Sequence, residues 1–218
     1  MVQARRTETD TGIQGKELVV LFDQMARYLR DRGWIETDAI LKSGITGGTC
    51  LEIGPGPGYL GLEWLKKTTG TTLCGAEISP DMLALAKKNA AKYGLTDRVD
   101  YRAGRAEKLP FEDAMFDGVF SNGSLHEWQD PRTAFMEIRR VLKTDGRYFI
   151  TDLRRDMGYF VKLFLKIMVK PKAIRPGLLT SIAASYTGRE LEELLQGSHL
   201  RGADVRTNPI GLRVTGIV

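Results

Sequence analysis

Three glycines alternate with prolines directly behind a short apolar run, Leu51-Glu52-Ile53-Gly54-Pro55-Gly56-Pro57-Gly58-Tyr59, and no other stretch of the chain restricts its fold as much. Glycine serves where the backbone takes a positive φ or must approach another group closely, because a Cβ would collide there. The residues before the glycines read as a strand over 49–53, and those after as a helix over 58–67. The loop is therefore a tight strand-to-helix turn. A helix N-terminus behind such a loop offers unpaired N–H groups and a partial positive charge to a carboxylate or phosphate.

The same alternation runs through most of the chain. Strands are expected at 71–78, 99–103, 117–121 and 146–152, with helices at 80–93 and 131–142. Ser79-Pro80 and Asp130-Pro131 supply an N-cap followed by a proline at the first helical position. Strands separated by helices imply parallel pairing through right-handed crossovers. After a helix at 188–196, strands at 202–207 and 211–218 are separated only by Asn208-Pro209-Ile210, too few residues for a crossover, so they should pair antiparallel. The expected architecture is a single α/β domain of 218 residues with seven strands, mostly parallel, ending in an antiparallel hairpin. Residues 1–48 form a helical cap, polar and frayed to about residue 15 and amphipathic over 16–32, with a short helix at 36–42.

Two cofactor classes use a loop of this kind. Gly56-x-Gly58-x-x-Gly61 satisfies a dinucleotide pattern, and Glu77 lies 21 residues after Gly56. Three features favour S-adenosylmethionine instead. Glu52 stands two residues before the first glycine, where a carboxylate could receive an ammonium group; the glycines alternate three times; and the chain ends in the hairpin.

In this run of motifs, from about residue 49 to 152, the sequence resembles the class I S-adenosylmethionine-dependent methyltransferases. Glu52-x-Gly54-x-Gly56-x-Gly58 is similar to their first motif, and Glu77-Ile78-Ser79-Pro80 to the end of their second strand, whose acid holds the ribose hydroxyls. Gly104-Arg105-Ala106-Glu107 resembles their adenine-side segment, and Phe116-Asp117-Gly118-Val119-Phe120-Ser121-Asn122 their fourth strand. The nearest subgroup by this resemblance is the small-molecule enzymes related to ubiquinone and menaquinone methyltransferases. The resemblance implies a Rossmann-like, doubly wound sheet that binds S-adenosylmethionine and releases S-adenosylhomocysteine. It implies cofactor contacts from Glu52, Gly54, Pro55, Gly56, Gly58, Glu77, Ile78, Ala106, Glu107 and Asn122. Arg105 departs from the family, whose members commonly carry Asp there to accept from the adenine amine; Glu107 or a backbone carbonyl must supply that contact. Ser121 to His126 lacks the Asn/Asp-Pro-Pro-aromatic run of enzymes acting on exocyclic adenine or glutamine amides, which disfavours those acceptors.

Methyl transfer from a sulfonium is an in-line displacement in which the protein aligns the reactants and excludes water. A general base is needed only if the nucleophile must lose a proton. Near the ends of the fourth and fifth strands, His126 is the leading candidate for that base because imidazole titrates near neutrality, ahead of Glu127 and Asp152. Trp128 reads as a packing aromatic and His199 as surface. Two cysteines and two histidines make no metal cluster, so no metal is expected, and Cys50 and Cys74 read as buried thiols of a reducing, cytoplasmic setting.

The net charge of +5 is local in origin. Residues 139–175 hold eleven Lys or Arg against three Asp. Part of this excess sits in an insertion at 154–187, expected to act as a lid, in which Lys162, Lys166 and Lys170 recur every fourth residue amid apolar neighbours. Such a helix packs on its own domain with lysines outward, covers a pocket, or makes weak contact with a membrane surface through 157–175. The expected partner is a small, partly apolar molecule. Nucleic acid is disfavoured for want of a recognition motif, and the sequence leaves the oligomeric state open. The alternatives to methyl transfer are a nicotinamide-dependent oxidoreductase and a cofactor-binding module without turnover.

Overall fold

The computed structural model describes residues 4–6, 11–200 and 202–218. Of the frayed start expected over 1–15, residues 1–3 and 7–10 lie outside the described residues.

Five strands form the parallel part of the sheet: β1 (Thr49–Ile53), β2 (Thr72–Glu77), β3 (Val99–Ala103), β4 (Phe116–Asn122) and β5 (Leu142–Leu153). The C-terminal strands β6 (Asp204–Thr207) and β7 (Gly211–Ile217) pair antiparallel, and β7 also runs antiparallel to β5. The order is β3-β2-β1-β4-β5-β7-β6, the doubly wound arrangement with the terminal hairpin at one edge. Gly211 permits the close approach of β7, since a Cβ there would stand 2.5 Å from the Asp152 carbonyl.

Alternation along the strands sends successive side chains to opposite faces and so builds two layers of core. Cys50, Phe120 and Phe149 face the helices α2 (Thr37–Lys42) and α3 (Tyr59–Lys66), where Trp64 and Leu65 are fully buried. Leu51, Ile53, Val119, Tyr148 and Ile150 face α5 (Pro131–Val141) and α8 (Gly188–Gln196), meeting Phe135, Ile138 and Leu191. Trp64 also donates its Nε1–H to the Ile45 carbonyl at 2.9 Å, so its one polar atom is satisfied inside the core. Both cysteines are buried free thiols, pushed up to about 12 for Cys50 and about 11 for Cys74, chiefly by desolvation.

Helix starts follow their caps. Ser79 Oγ accepts from the Met82 N–H at the head of α4 (Pro80–Tyr93), and Asp130 accepts from the Arg132 and Thr133 N–H groups at the head of α5. Thr187 and Glu190 form a reciprocal capping box on α8. The helix α1 (Lys16–Asp31) buries no residue completely and leans on α3 and α4 through polar contacts, Asp23 accepting from the Tyr59 hydroxyl and Arg30 donating to Tyr93.

Two differences from expectation concern β5 and the insertion. The fifth strand begins at Leu142, four residues early, because Leu142 already pairs with Phe116 and an irregularity between Phe116 and Gly118 absorbs the turn, with Asp145 at a φ of 65°. The insertion contains α6 (Tyr159–Met168), a short turn at Lys172–Ile174 and a further helix α7 (Arg175–Ala184) that local periodicity did not signal. The turn packs on α1, and α7 packs on the turn at Leu125–Glu127 that follows β4. Residues 154–187 thus bridge the N-terminal helix and the carboxyl edge of the sheet.

Candidate active site

In an open α/β sheet, ligands bind beyond the carboxyl ends of the strands where the winding reverses, here between β1 and β4. The glycine loop lies there. Gly54, Gly56 and Gly58 take φ values of 68°, 53° and 84°, the left-handed region that side chains disfavour. Their surroundings differ. A Cβ on Gly54 would stand 2.7 Å from Ser124, and one on Gly58 2.7 Å from the Tyr101 hydroxyl, whereas above Gly56 nothing lies within 4 Å. The first and third glycines make room for the protein, and the middle one opens onto the crevice. Gly61, the third glycine of the dinucleotide-like spacing, packs α3 onto the sheet, where a Cβ would strike Glu52 and Leu73.

Glu52 lies beneath the loop, 2% exposed, with Oε2 turned toward Gly61 and lacking a hydrogen-bond partner. Its carboxyl is pushed up to about 8, first by burial, then by the nearby Glu77 charge. The side chain for which the sequence suggests an ammonium contact is thus enclosed beneath the loop. Glu77, at the end of β2, accepts the Gly56 N–H on Oε2 and the Ser79 N–H on Oε1, each at 2.9 Å. Burial raises its carboxyl as well, opposed by those amides. It ties the open glycine to the start of α4, and each oxygen keeps a further lone pair. Ile78 beside it is half-buried, next to Gly12 of the N-terminal segment.

Ala106 is buried in the core beside β4. Glu107 accepts the Gln129 N–H at 2.7 Å and the Asp130 N–H at 3.3 Å and pairs with Arg105 at 3.7 Å. The suggested substitute for the missing aspartate is therefore engaged in holding the turn ahead of α5. Asn122, at the exposed end of β4, accepts from the Thr151 hydroxyl at 2.8 Å. Trp128 donates to Ser124 Oγ and packs edge-on against Phe135, the packing role expected, and His199 is exposed.

The pairing of His126 with Asp152 was not legible in the sequence. Asp152 Oδ2 accepts the His126 backbone N–H at 2.7 Å, and both carboxylate oxygens lie 2.9 Å from Nδ1. Both residues are buried. With Nδ1 donating to Asp152, the basic lone pair belongs to Nε2. Arg5 also reaches this corner from a segment expected to fray: Nη2 donates to the His126 carbonyl at 2.9 Å, Nε to the Ala184 carbonyl at 2.6 Å, and the guanidinium lies 4.2 Å from the Tyr186 ring centroid. On the opposite side of the crevice, Ser79 Oγ donates to the Ile13 carbonyl and Asp81 accepts the Gly15 N–H. Among the described residues no group of His, Cys, Asp and Glu could hold a metal ion, and no helix is long and apolar enough to cross a membrane.

Comparison with known proteins agrees with this geometry. Residues 51–150 match the family described as a methyltransferase domain. The chain is 34% identical over 103 residues to methyltransferase GfsG of Streptomyces halstedii, covering 47% of this chain and 37% of that protein. It is 29% identical over 167 residues to 2-phytyl-1,4-naphtoquinone methyltransferase of Trichormus variabilis, covering 72% of each. Six curated relatives at 30% identity or above are longer, the chain spanning 32 to 59% of their lengths. A solved structure from Methanococcus maripaludis, assigned as an S-adenosyl-L-methionine-dependent methyltransferase, superposes with a TM-score of 0.74 at 25% identity, covering 98% of this chain and 95% of that one.

Proposed function

The chain is a member of the class I S-adenosylmethionine-dependent methyltransferases, and from that premise we propose that it transfers a methyl group to a small, partly apolar acceptor. The observation that carries the proposal is the open space over Gly56 between two glycines whose space is already taken. The residues present fit the cofactor: a left-handed glycine cradle, an acid at the end of β2 with lone pairs to spare, and a buried carboxyl group beneath the loop.

When bound, S-adenosylmethionine supplies a methyl group already activated by its positively charged sulfur. Gly54, Pro55, Gly56 and Gly58 would hold the amino-acid end by backbone, with Glu52 acting from below through the loop. Glu77 would accept the ribose hydroxyls beside Ile78, and the backbone at Ala106 and Glu107 would border the adenine, while Asn122 stands at the methyl-donor end of β4. For an acceptor that must lose a proton, His126 is the base: Asp152 fixes its ring and stabilises the imidazolium that forms. The insertion at 154–187 serves to exclude water above this corner. A reducing, cytoplasmic setting for the two buried thiols belongs to the same reading.

Calorimetry tests the reading. Purified protein is expected to bind S-adenosylhomocysteine, and binding of NADH in its place would restore the oxidoreductase alternative, which the comparisons do not support. Turnover with quinone- or phenol-like acceptors separates an enzyme from a binding module. Binding of the demethylated cofactor with no transfer to any acceptor would favour the module.

A further inference from the structure

A helix lying on its own domain turns aromatic side chains inward and lysines outward. The helix α6 instead turns its aromatics outward, beside an exposed Lys166. None of its residues is buried; Phe160 is 82% exposed, Tyr159 74%, Ile167 58% and Phe164 53%, while Lys162 is partly covered. At about 100° per residue, Phe160, Leu163, Phe164 and Ile167 fall within one arc of about 100°, with Lys166 about 60° outside one edge and Lys162 farther round the same side. Val161, Leu165 and Met168, the residues more covered by protein, lie on the opposite flank. An exposed apolar patch on this scale marks a surface that meets something.

The charge around the patch selects the occupant. From Met157 to Arg189 the chain carries Lys162, Lys166, Lys170, Lys172, Arg175 and Arg189 and not one Asp or Glu. A second copy docked face to face would oppose like charges across the contact. A nucleic acid would meet phenyl rings flanked by lysines, without polar groups to read base edges. An anionic bilayer offers both complements at once: negative headgroups for the flank and an apolar boundary for the rings. We infer that α6 lies in the interface of an anionic membrane, with Phe160, Phe164 and Ile167 inserted and Lys166, Lys170 and Lys172 at the headgroups.

This placement has a consequence for the site. The helix begins six residues after β5 ends at Leu153, and the insertion that carries it packs on the turn containing His126. Membrane contact would therefore set the acceptor corner near the bilayer, suiting an acceptor that partitions into lipid. The docking rests on the surface alone, and the delivery of acceptor rests on the methyl-transfer reading.

The test is sedimentation of the full chain with vesicles containing about 30% phosphatidylserine in phosphatidylcholine, against phosphatidylcholine alone. Binding is expected to the anionic vesicles and to weaken with salt. The pair Phe160→Ser and Phe164→Ser, both at exposed positions, should lower binding at least tenfold with unchanged melting and unchanged S-adenosylhomocysteine affinity. Since each lysine at an anionic surface strengthens binding about fivefold, the triple change K166Q, K170Q and K172Q should lower it about a hundredfold. No sedimentation of the native chain, or equal sedimentation of either variant, overturns the docking. So does a stable dimer in light scattering that the two Ser substitutions dissolve, or binding to duplex or single-stranded nucleic acid that they abolish. Native S-adenosylhomocysteine binding without vesicle binding sinks the docking alone, whereas vesicle binding without cofactor binding sinks the methyl-transfer reading alone.

Discussion

Replacing Gly56 or Gly58 by alanine should separate two functions of one loop. Both residues are left-handed, at φ values of 53° and 84°, so either substitution carries the backbone strain of a non-glycine residue, about 1–2 kcal/mol. At Gly56 that is the whole cost in the ligand-free protein, because the added methyl meets nothing within 4 Å. At Gly58 the methyl would stand 2.7 Å from the buried Tyr101 hydroxyl and 3.4 Å from Ala86, adding about 1–3 kcal/mol of overpacking. For a domain of this size each kcal/mol lowers Tm by roughly 2–4 °C. Thermal melts should therefore place Gly58→Ala well below Gly56→Ala. Calorimetry with S-adenosylhomocysteine should show the opposite emphasis: Gly56→Ala, still folded, loses affinity at least tenfold, since one misplaced carbon in a fitted pocket is worth about 1–3 kcal/mol. Native affinity in Gly56→Ala would refute the cradle. A melting temperature of Gly56→Ala as low as that of Gly58→Ala would refute the reasoning from open space.

Further outcomes follow from the buried acids and the core. The Glu52 carboxyl is raised from an ordinary 4.5 to about 8, so its ionisation in the folded protein opposes stability. The contribution of Glu52 to stability should be fully present below its unfolded value and be lost as pH rises from about 4.5 through about 8, so Glu52→Gln should flatten that part of the pH–Tm profile and melt higher than the native chain at pH 9. Unchanged pH dependence in the variant would show that the buried carboxyl is not responsible. Asp152→Asn should lower turnover by about 10²–10⁴ and shift the pH–rate profile with cofactor affinity held within about twofold, if His126 works as a base; an unaltered profile would leave the pair a structural contact. Trp64→Ala, which empties a fully buried site and abandons the hydrogen bond to Ile45, should cost about 3–5 kcal/mol by chemical denaturation.

What could be read along the chain was local in origin. The strand, the glycines and the following helix are contiguous, so φ preference, apolar pattern and cap all act within a dozen residues and agree. The same holds for Ser79-Pro80 and Asp130-Pro131, whose caps form as expected. The beginning of β5 differs from the local pattern because Leu142 ends an apolar helical run while its backbone pairs with Phe116, a choice made by the neighbouring strand. Glu107 accepts the amides of Gln129 and Asp130, 22 and 23 residues away, a pairing that no local pattern announces.

By itself the sequence determined that this chain would be a doubly wound sheet with a cofactor loop after its first strand, because those features depend on backbone sterics and short-range periodicity. Tertiary structure alone decided which glycine faces open space, that Glu52 lies enclosed, that Asp152 holds His126 from 26 residues away, and that α6 shows its aromatics to the outside. Those outcomes depend on which surfaces meet after the sheet closes. An amphipathic pattern specifies two faces of a helix, and only packing assigns one of them to the core.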